Sequence, residues 1–282
     1  MKKYALGLYE KAMPDTLAWR EKLETAGRLG YGYVEISVDE TDKKLARLER
    51  DNAERAQIAA AIRDTGVPVR SMCLSGHRRF PLGDPDPEKR ARSLGIMEKA
   101  LILADSLGIR TIQLAGYDVY YSQSTEESRK LFGENLAKCA EAAAKYGVTL
   151  GFETMETEFM NTVEKSMRYV TAVGSPWLGV YPDIGNLTNA AVMYGADVLR
   201  DLEAGRGHLI AMHLKPTRPG QFRDLYFDDP SQHVDFDAAV AKAWSLGVRR
   251  YVTELWHLGR ADWEHNIETA IRAMGAILAK QE

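Results

Sequence analysis

Eight times over, this chain follows a short apolar run with a stretch of helical spacing and then a break, usually at glycine. The strand-type runs fall at 4–9, 33–38, 68–74, 110–115, 148–153, 178–181, 209–214 and 250–255. Helical patterns are expected at 15–28, 52–65, 88–107, 124–146, 161–173, 196–203, 235–246 and 261–280. In the first of these Trp19, Leu23 and Ala26 stand at i, i+4, i+7 behind Pro14, and Gly30 stops the helix; Gly66, Gly108 and Gly147 stop later ones. Ser124-Thr-Glu-Glu127 reads as a capping box. Strands separated by helices pair in parallel, and eight such units in 282 residues predict an α/β chain folded as a (β/α)8 TIM barrel, one domain over 1–282. A doubly wound open sheet is the rival, but neither GxGxxG nor GxxxxGKS follows the first strand.

Charge and cysteine content narrow the function classes. With 37 Lys and Arg against 40 Asp and Glu the net charge is -3, so no global basic field draws the chain to nucleic acid or anionic lipid. Only Cys73 and Cys139 are present, which suggests reduced buried thiols rather than a disulfide framework. The opening apolar run is closed by Glu10 and Lys11, too soon for a signal-peptide core, and no run approaches the ~20 apolar residues of a membrane span. The expectation is a cytoplasmic enzyme with no nucleic-acid or membrane partner.

In a barrel of this kind the carboxyl ends of the strands share one mouth, where active sites are built. Four metal-capable side chains stand there: Glu153 closing the fifth strand, Asp183 just past the sixth, His213 in the seventh and Glu254 in the eighth. They are 30, 30 and 41 residues apart, about one βα unit each. Any one alone is more often a capping or hydrogen-bonded group than a ligand. Four on successive strands ask for more, because clustered carboxylates repel unless a cation or proton compensates. Three carboxylates and an imidazole suit one divalent metal ion, Zn2+, Mn2+, Co2+ or Mg2+, and disfavour a thiophilic one.

Two loops at the same end carry further candidates. The turn 75–83 concentrates His77, Arg78 and Arg79, either as solvated charge or as a site for an anionic group such as phosphate, to which the guanidinium fork is suited. Lys215 and Arg218 follow the seventh strand as a second pair of candidates for substrate contact. The run Gly116-Tyr-Asp-Val-Tyr-Tyr121 either walls a pocket or covers the barrel end.

Several motifs resemble one family closely: Gly7-Leu-Tyr-Glu-Lys-Ala12, Val34-Glu-Ile-Ser-Val-Asp-Glu-Thr-Asp42, the block 71–83, Ile112-Gln-Leu-Ala-Gly-Tyr-Asp-Val-Tyr-Tyr121 and Tyr181-Pro-Asp-Ile-Gly-Asn-Leu187. That family is L-ribulose-5-phosphate 3-epimerase, also described as L-xylulose-5-phosphate 3-epimerase or hexulose-6-phosphate isomerase, among the xylose-isomerase-like barrels. The resemblance implies metal ligation by Glu153, Asp183, His213 and Glu254, catalysis by Glu153 and Glu254 as an acid/base pair, a sugar-phosphate substrate and a homodimer. Two departures stand over the mouth: Pro216 follows Lys215 where the family often has Asp, and 228–233 replaces a glycine-containing turn.

The implied chemistry is deprotonation of a ketopentose 5-phosphate at C3 and reprotonation from the other face, through a cis-enediolate stabilised by the metal. Strands five and eight lie about 135° apart around an eight-strand ring, so the two glutamates can flank a substrate. Alternatives are a 3-epimerase or aldose-ketose isomerase for an unphosphorylated sugar, or an endonuclease-IV-like repair enzyme. The last sits poorly with six His and net charge -3.

Overall fold

A computed structural model describes residues 2–223 and 225–282. Its strands are β1 (Ala5–Tyr9), β2 (Tyr33–Val38), β3 (Val69–Leu74), β4 (Thr111–Leu114), β5 (Thr149–Glu153), β6 (Leu178–Tyr181), β7 (Met212–Leu214) and β8 (Arg250–Thr253). All pair in parallel in the order β6-β5-β4-β3-β2-β1-β8-β7. Between β6 and β7 there is no continuous ladder. Isolated bridges Val180↔Leu209 and Asp183↔His213 nearly close the barrel there. Three backbone bonds make this seam: Val180 N to His208 O at 2.8 Å, Ile210 N to Val180 O at 3.0 Å, and His213 N to Pro182 O at 2.9 Å. Gly179 permits the approach, since a Cβ built on it would stand 2.6 Å from His208 O.

Strand parity separates two interiors. Val34, Ile36 and Val38 join the large apolar cluster between sheet and helices, whereas Tyr33 belongs with Tyr9, Cys73 and Val252 in a smaller cluster inside the barrel. Glu35 and Ser37 share Tyr33's parity and are fully buried. The barrel interior is therefore polar at several levels, with a register shift between Val34 and Glu35 in the β2–β3 pairing.

Ten helices follow in chain order among the described residues: α1 (Trp19–Leu29), α2 (Asp42–Leu45), α3 (Ala53–Thr65), α4 (Pro87–Leu107), α5 (Glu126–Tyr146), α6 (Val163–Val173), α7 (Ile184–Tyr194), α8 (Val198–Ala204), α9 (Phe236–Ser245) and α10 (Trp263–Ala279). Expected boundaries move by a few residues where caps decide them. Helix α1 starts at Trp19 rather than 15, and the α5 box is made by Thr125 and Ser128, one residue beyond the expected pair, because Thr125 Oγ1 accepts from Ser128 N at 3.0 Å. Two helices had no counterpart in the sequence reading, the short α2 and α7. Helix α7 begins immediately after Asp183, which caps it by accepting from Asn186 N at 2.8 Å.

Candidate metal centre

The first residues past β6 set the site's geometry. Asp183 gives Oδ1 to the α7 cap, which leaves Oδ2 buried with no aligned hydrogen-bond donor. Gly185 in the first turn lets α7 pack on the chain leaving β7, since a Cβ there would meet Lys215 O at 2.6 Å. Asp183 and Lys215 are thereby brought side by side, with Lys215 Nζ 2.8 Å from Asp183 Oδ2 as an ion contact. Asn186 Oδ1 accepts from the same ammonium at 2.8 Å, and Asn186 Nδ2 donates to Thr154 O at 2.8 Å.

Glu153, Asp183, His213 and Glu254 converge at the mouth, one ligand atom from each lying within 4.8 Å of all the others. All four are buried. His213 Nδ1 is 3.0 Å from Glu254 Oε2, 3.6 Å from Glu153 Oε1 and 3.9 Å from Asp183 Oδ2, so this nitrogen turns toward the carboxylates. The opposite nitrogen, Nε2, contacts Glu35 Oε1 at 2.6 Å, and Glu35 Oε2 accepts from the Tyr181 hydroxyl at 3.0 Å. Glu35 fixes the imidazole orientation from behind, as carboxylate partners of metal-binding histidines do.

The three carboxylates share the site with the Lys215 ammonium and the His213 imidazole. Burial raises the Asp183 carboxyl to about 7; Lys215 opposes this while Glu254 reinforces it. Burial works against a charged imidazole at His213, but Glu35 and Glu254 outweigh it and hold its pKa well above the ordinary value. At Glu254 burial acts upward and is overcome by Lys215 and His213, leaving its carboxyl lowered. An imidazole and three carboxylates in one pocket, with Asp183 Oδ2 turned to the Lys215 ammonium, fit a divalent cation with oxygen and nitrogen preferences.

Against the metal centre lies a cavity of about 330 Å³. Glu153 and Glu254 reach it from β5 and β8, and Lys11, Arg78, Lys215 and Arg223 line it as cations, with Cys73, Trp256 and Phe222 among the remaining walls. Lys11 is paired with Asp39 at 2.6 Å. The Arg78 guanidinium lies over the rings of Tyr117 and Tyr120, 5.7 and 5.2 Å from their centroids. The aromatic run 116–121 therefore supports Arg78 from behind; it contributes none of the residues lining the cavity. Arg223 lies 5.3 Å from the Trp256 ring.

Other expected contacts lie elsewhere. His77 is buried against α4, where Nε2 meets Ser93 O at 3.2 Å, and burial lowers its pKa to about 4 despite that carbonyl. At neutral pH it is an uncharged pin between loop and helix, not the cation expected of the turn. Arg79 pairs with Asp42 at 2.6 Å and Arg218 reaches Ser231 Oγ at 3.3 Å; neither lines the cavity. In the departing segment, Asp229 Oδ1 accepts from Ser231 N at 2.8 Å, making a side-chain turn of its own. Sequence reading missed Glu35, Lys11, Arg223 and Asn186. Glu35 carried a signal, a polar set at 33, 35 and 37 opposite Val34, Ile36 and Val38, whereas Arg223 sits in a long connection without periodicity.

The sequence model of a family described as xylose isomerase-like TIM barrel matches residues 23–277. A relative named L-ribulose-5-phosphate 3-epimerase UlaE, from Salmonella paratyphi C, is 44% identical over 256 residues, covering 90% of this chain and 88% of its own. Among solved structures, one titled as L-ribulose 3-epimerase superposes with a TM-score of 0.79 at 19% identity, covering 99% of this chain and 95% of its own. Another, titled as IOLI protein with a binding zinc atom, gives 0.77 at 18% identity with 99% of both chains covered. At these identities the two structures speak for the fold.

Proposed function

This chain belongs to the L-ribulose-5-phosphate 3-epimerase family of xylose isomerase-like TIM barrels, and from that premise we propose that it interconverts L-ribulose 5-phosphate and L-xylulose 5-phosphate at C3. One observation carries the reading: two carboxylates, Glu153 and Glu254, enter the same cavity from β5 and β8. Inverting a carbon requires a base on one face and an acid on the other, and a single group cannot serve both without the carbon turning over.

Glu153, Asp183, His213 and Glu254 are the residues that would hold the metal, with Zn2+ or Mn2+ the first choices and Co2+ or Mg2+ also compatible with the donor set. When bound, the cation supplies a Lewis acid that draws charge onto the ketose C2 oxygen and makes the C3 proton removable. Either glutamate then takes that proton, and the other returns one to the opposite face. Asp183 and His213 act as ligands only. Lys215, fixed by Asn186, offers its ammonium to a sugar oxygen beside the carboxylates. Arg78 and Arg223 line the same cavity, which supports assigning the 5-phosphate to their guanidinium groups. His77, Arg79 and Arg218 take structural or surface roles in this reading.

Turnover in heavy water should put deuterium at C3. An active, metal-loaded enzyme that retains the C3 proton would rule the chemistry out, and transfer between C1 and C2 would indicate an aldose-ketose isomerase instead. Glu153→Gln and Glu254→Gln should each lower kcat by on the order of 10³-fold without changing the circular dichroism spectrum. If the unphosphorylated ketose matched the 5-phosphate in kcat/KM and Arg78→Ala were silent, the phosphate assignment would fall.

A further inference from the structure

The barrel has a second polar opening, at the end away from the metal centre. There, around the amino ends of β3, β4 and β8, lies a cavity of about 400 Å³. Arg70, Arg110 and Arg250 contribute to its lining, and no acidic side chain does. Among the described residues the guanidinium groups of Arg70 and Arg250 have neither a hydrogen-bond nor an ion-pair partner. Arg110 pairs with Asp105 Oδ1 at 3.5 Å and donates to Tyr146 O at 3.4 Å and Ile109 O at 3.5 Å. All three arginines are exposed, and at Arg70 and Arg250 solvent alone answers the charge.

A second, independent feature points the same way. Ser71 is buried, lines this cavity, and its hydroxyl oxygen has no hydrogen-bond partner. On β3 it shares a face with Cys73, two residues on, which lines the cavity at the metal end, so Ser71 points into the barrel. A buried hydroxyl is normally satisfied, and one left open beside three guanidinium groups marks a place for an acceptor. Burial and then Glu35 raise the Tyr33 hydroxyl pKa, and His213, followed by Arg250 and Arg70, acts against that rise.

We propose that this cavity is a second ligand site, for a small phosphate monoester. Its phosphate is held by Arg70, Arg250 and the Ser71 hydroxyl with Arg110 at the rim, and its carbon portion lies against Val69 and Leu107. A dianion meets three guanidinium groups better than a single carboxylate does, and the guanidinium fork matches phosphate oxygens two at a time. The amino end of a barrel commonly serves stability. Here Arg70 and Arg250 make no pair and the Ser71 hydroxyl is unsatisfied, so these three residues supply no contact that would stabilise the fold.

Calorimetric titration of the metal-loaded enzyme with glycerol 3-phosphate tests the site, with glycerol as the uncharged control. The wild type should bind the ester and give no heat with glycerol. Arg70→Gln/Arg250→Gln should weaken binding at this site at least tenfold, as expected for lost charge-assisted hydrogen bonds, with kcat and KM unchanged. Ser71→Ala should weaken it several-fold. Arg78→Gln, altered at the other end of the barrel, should leave this binding in place. Equal affinity and stoichiometry in wild type and the double variant would overturn the proposal. So would disappearance of all binding in Arg78→Gln, which would put the ester at the metal-side mouth. Glycerol binding as tightly as its phosphate would remove the phosphate assignment.

Discussion

A glutamate in the middle of a barrel strand is costly unless its charge is answered, and at Glu35 the answer comes from His213 and Tyr181. Replacing it with Gln keeps the shape and removes the charge that orients and enriches the imidazole. Glu35→Gln should weaken metal binding by about 10- to 100-fold in competition with a fluorescent chelator; unchanged affinity would reduce Glu35 to a packing role. Asp183 offers a cleaner separation, since it caps α7 with one oxygen and turns the other to the site. Asn caps as well as Asp, so Asp183→Asn should lose the metal while the metal-free protein unfolds at an unchanged or higher denaturant concentration. Asp183→Ala should lose about 1 kcal/mol more through the missing cap. If both variants were equally stable, the cap would contribute nothing. The clustering of Glu153, Asp183, His213 and Glu254 was legible in the sequence because each ends or follows an apolar run. The double duty of Asp183 was not, because the apolar residues of 184–194 run on without a polar face to announce a helix.

Elements explain which loop charges became structural. His77 joins the loop after β3 to α4 through Ser93 O. Its folded pKa, lowered by burial to about 4, lies below the ordinary histidine value near ~6.5, so the unfolded chain takes up this proton first as pH falls. The resulting contribution to stability is complete above about pH 6.5 and is lost as pH drops toward 4, amounting to at most ~3 kcal/mol. His77→Gln should therefore lose less stability than the wild type between pH 7 and pH 5 in denaturant titrations; identical slopes would contradict the neutral, buried state. A similar lesson holds at Glu10, which reads in the sequence as a charge closing the first strand. It is instead buried, with Arg47 Nη1 at 2.6 Å, Lys44 Nζ at 2.7 Å and Lys22 Nζ at 3.2 Å. Linear sequence shows a run of polar residues; only the packing of β1 against α1 and α2 decides that this one turns inward.

At the scale of the whole molecule, the eight-unit count in the sequence was enough to specify the barrel, because short apolar runs and glycine stops are local signals. The seam between β6 and β7 was not visible, since the run at 209–214 looked like a full strand while its ladder begins only at Met212. Asp183 and His213 face each other across that seam. A metal held by the proposed ligands would tie together the least continuous part of the sheet. Chelation should lower the melting temperature by several degrees, on the order of 2.7 kcal/mol at a hundredfold excess of metal over Kd. Hydrogen exchange should speed up first at the Val180, Ile210 and His213 amides; uniform loss of protection around the ring would refute a local role. Lys215 adds a further consequence. Its ammonium, with a proton on His213, stands among the three carboxylates before any metal arrives. Under the proposed function a metal ion entering this site would meet charges already balanced by those two groups, and its uptake would release protons to the solvent.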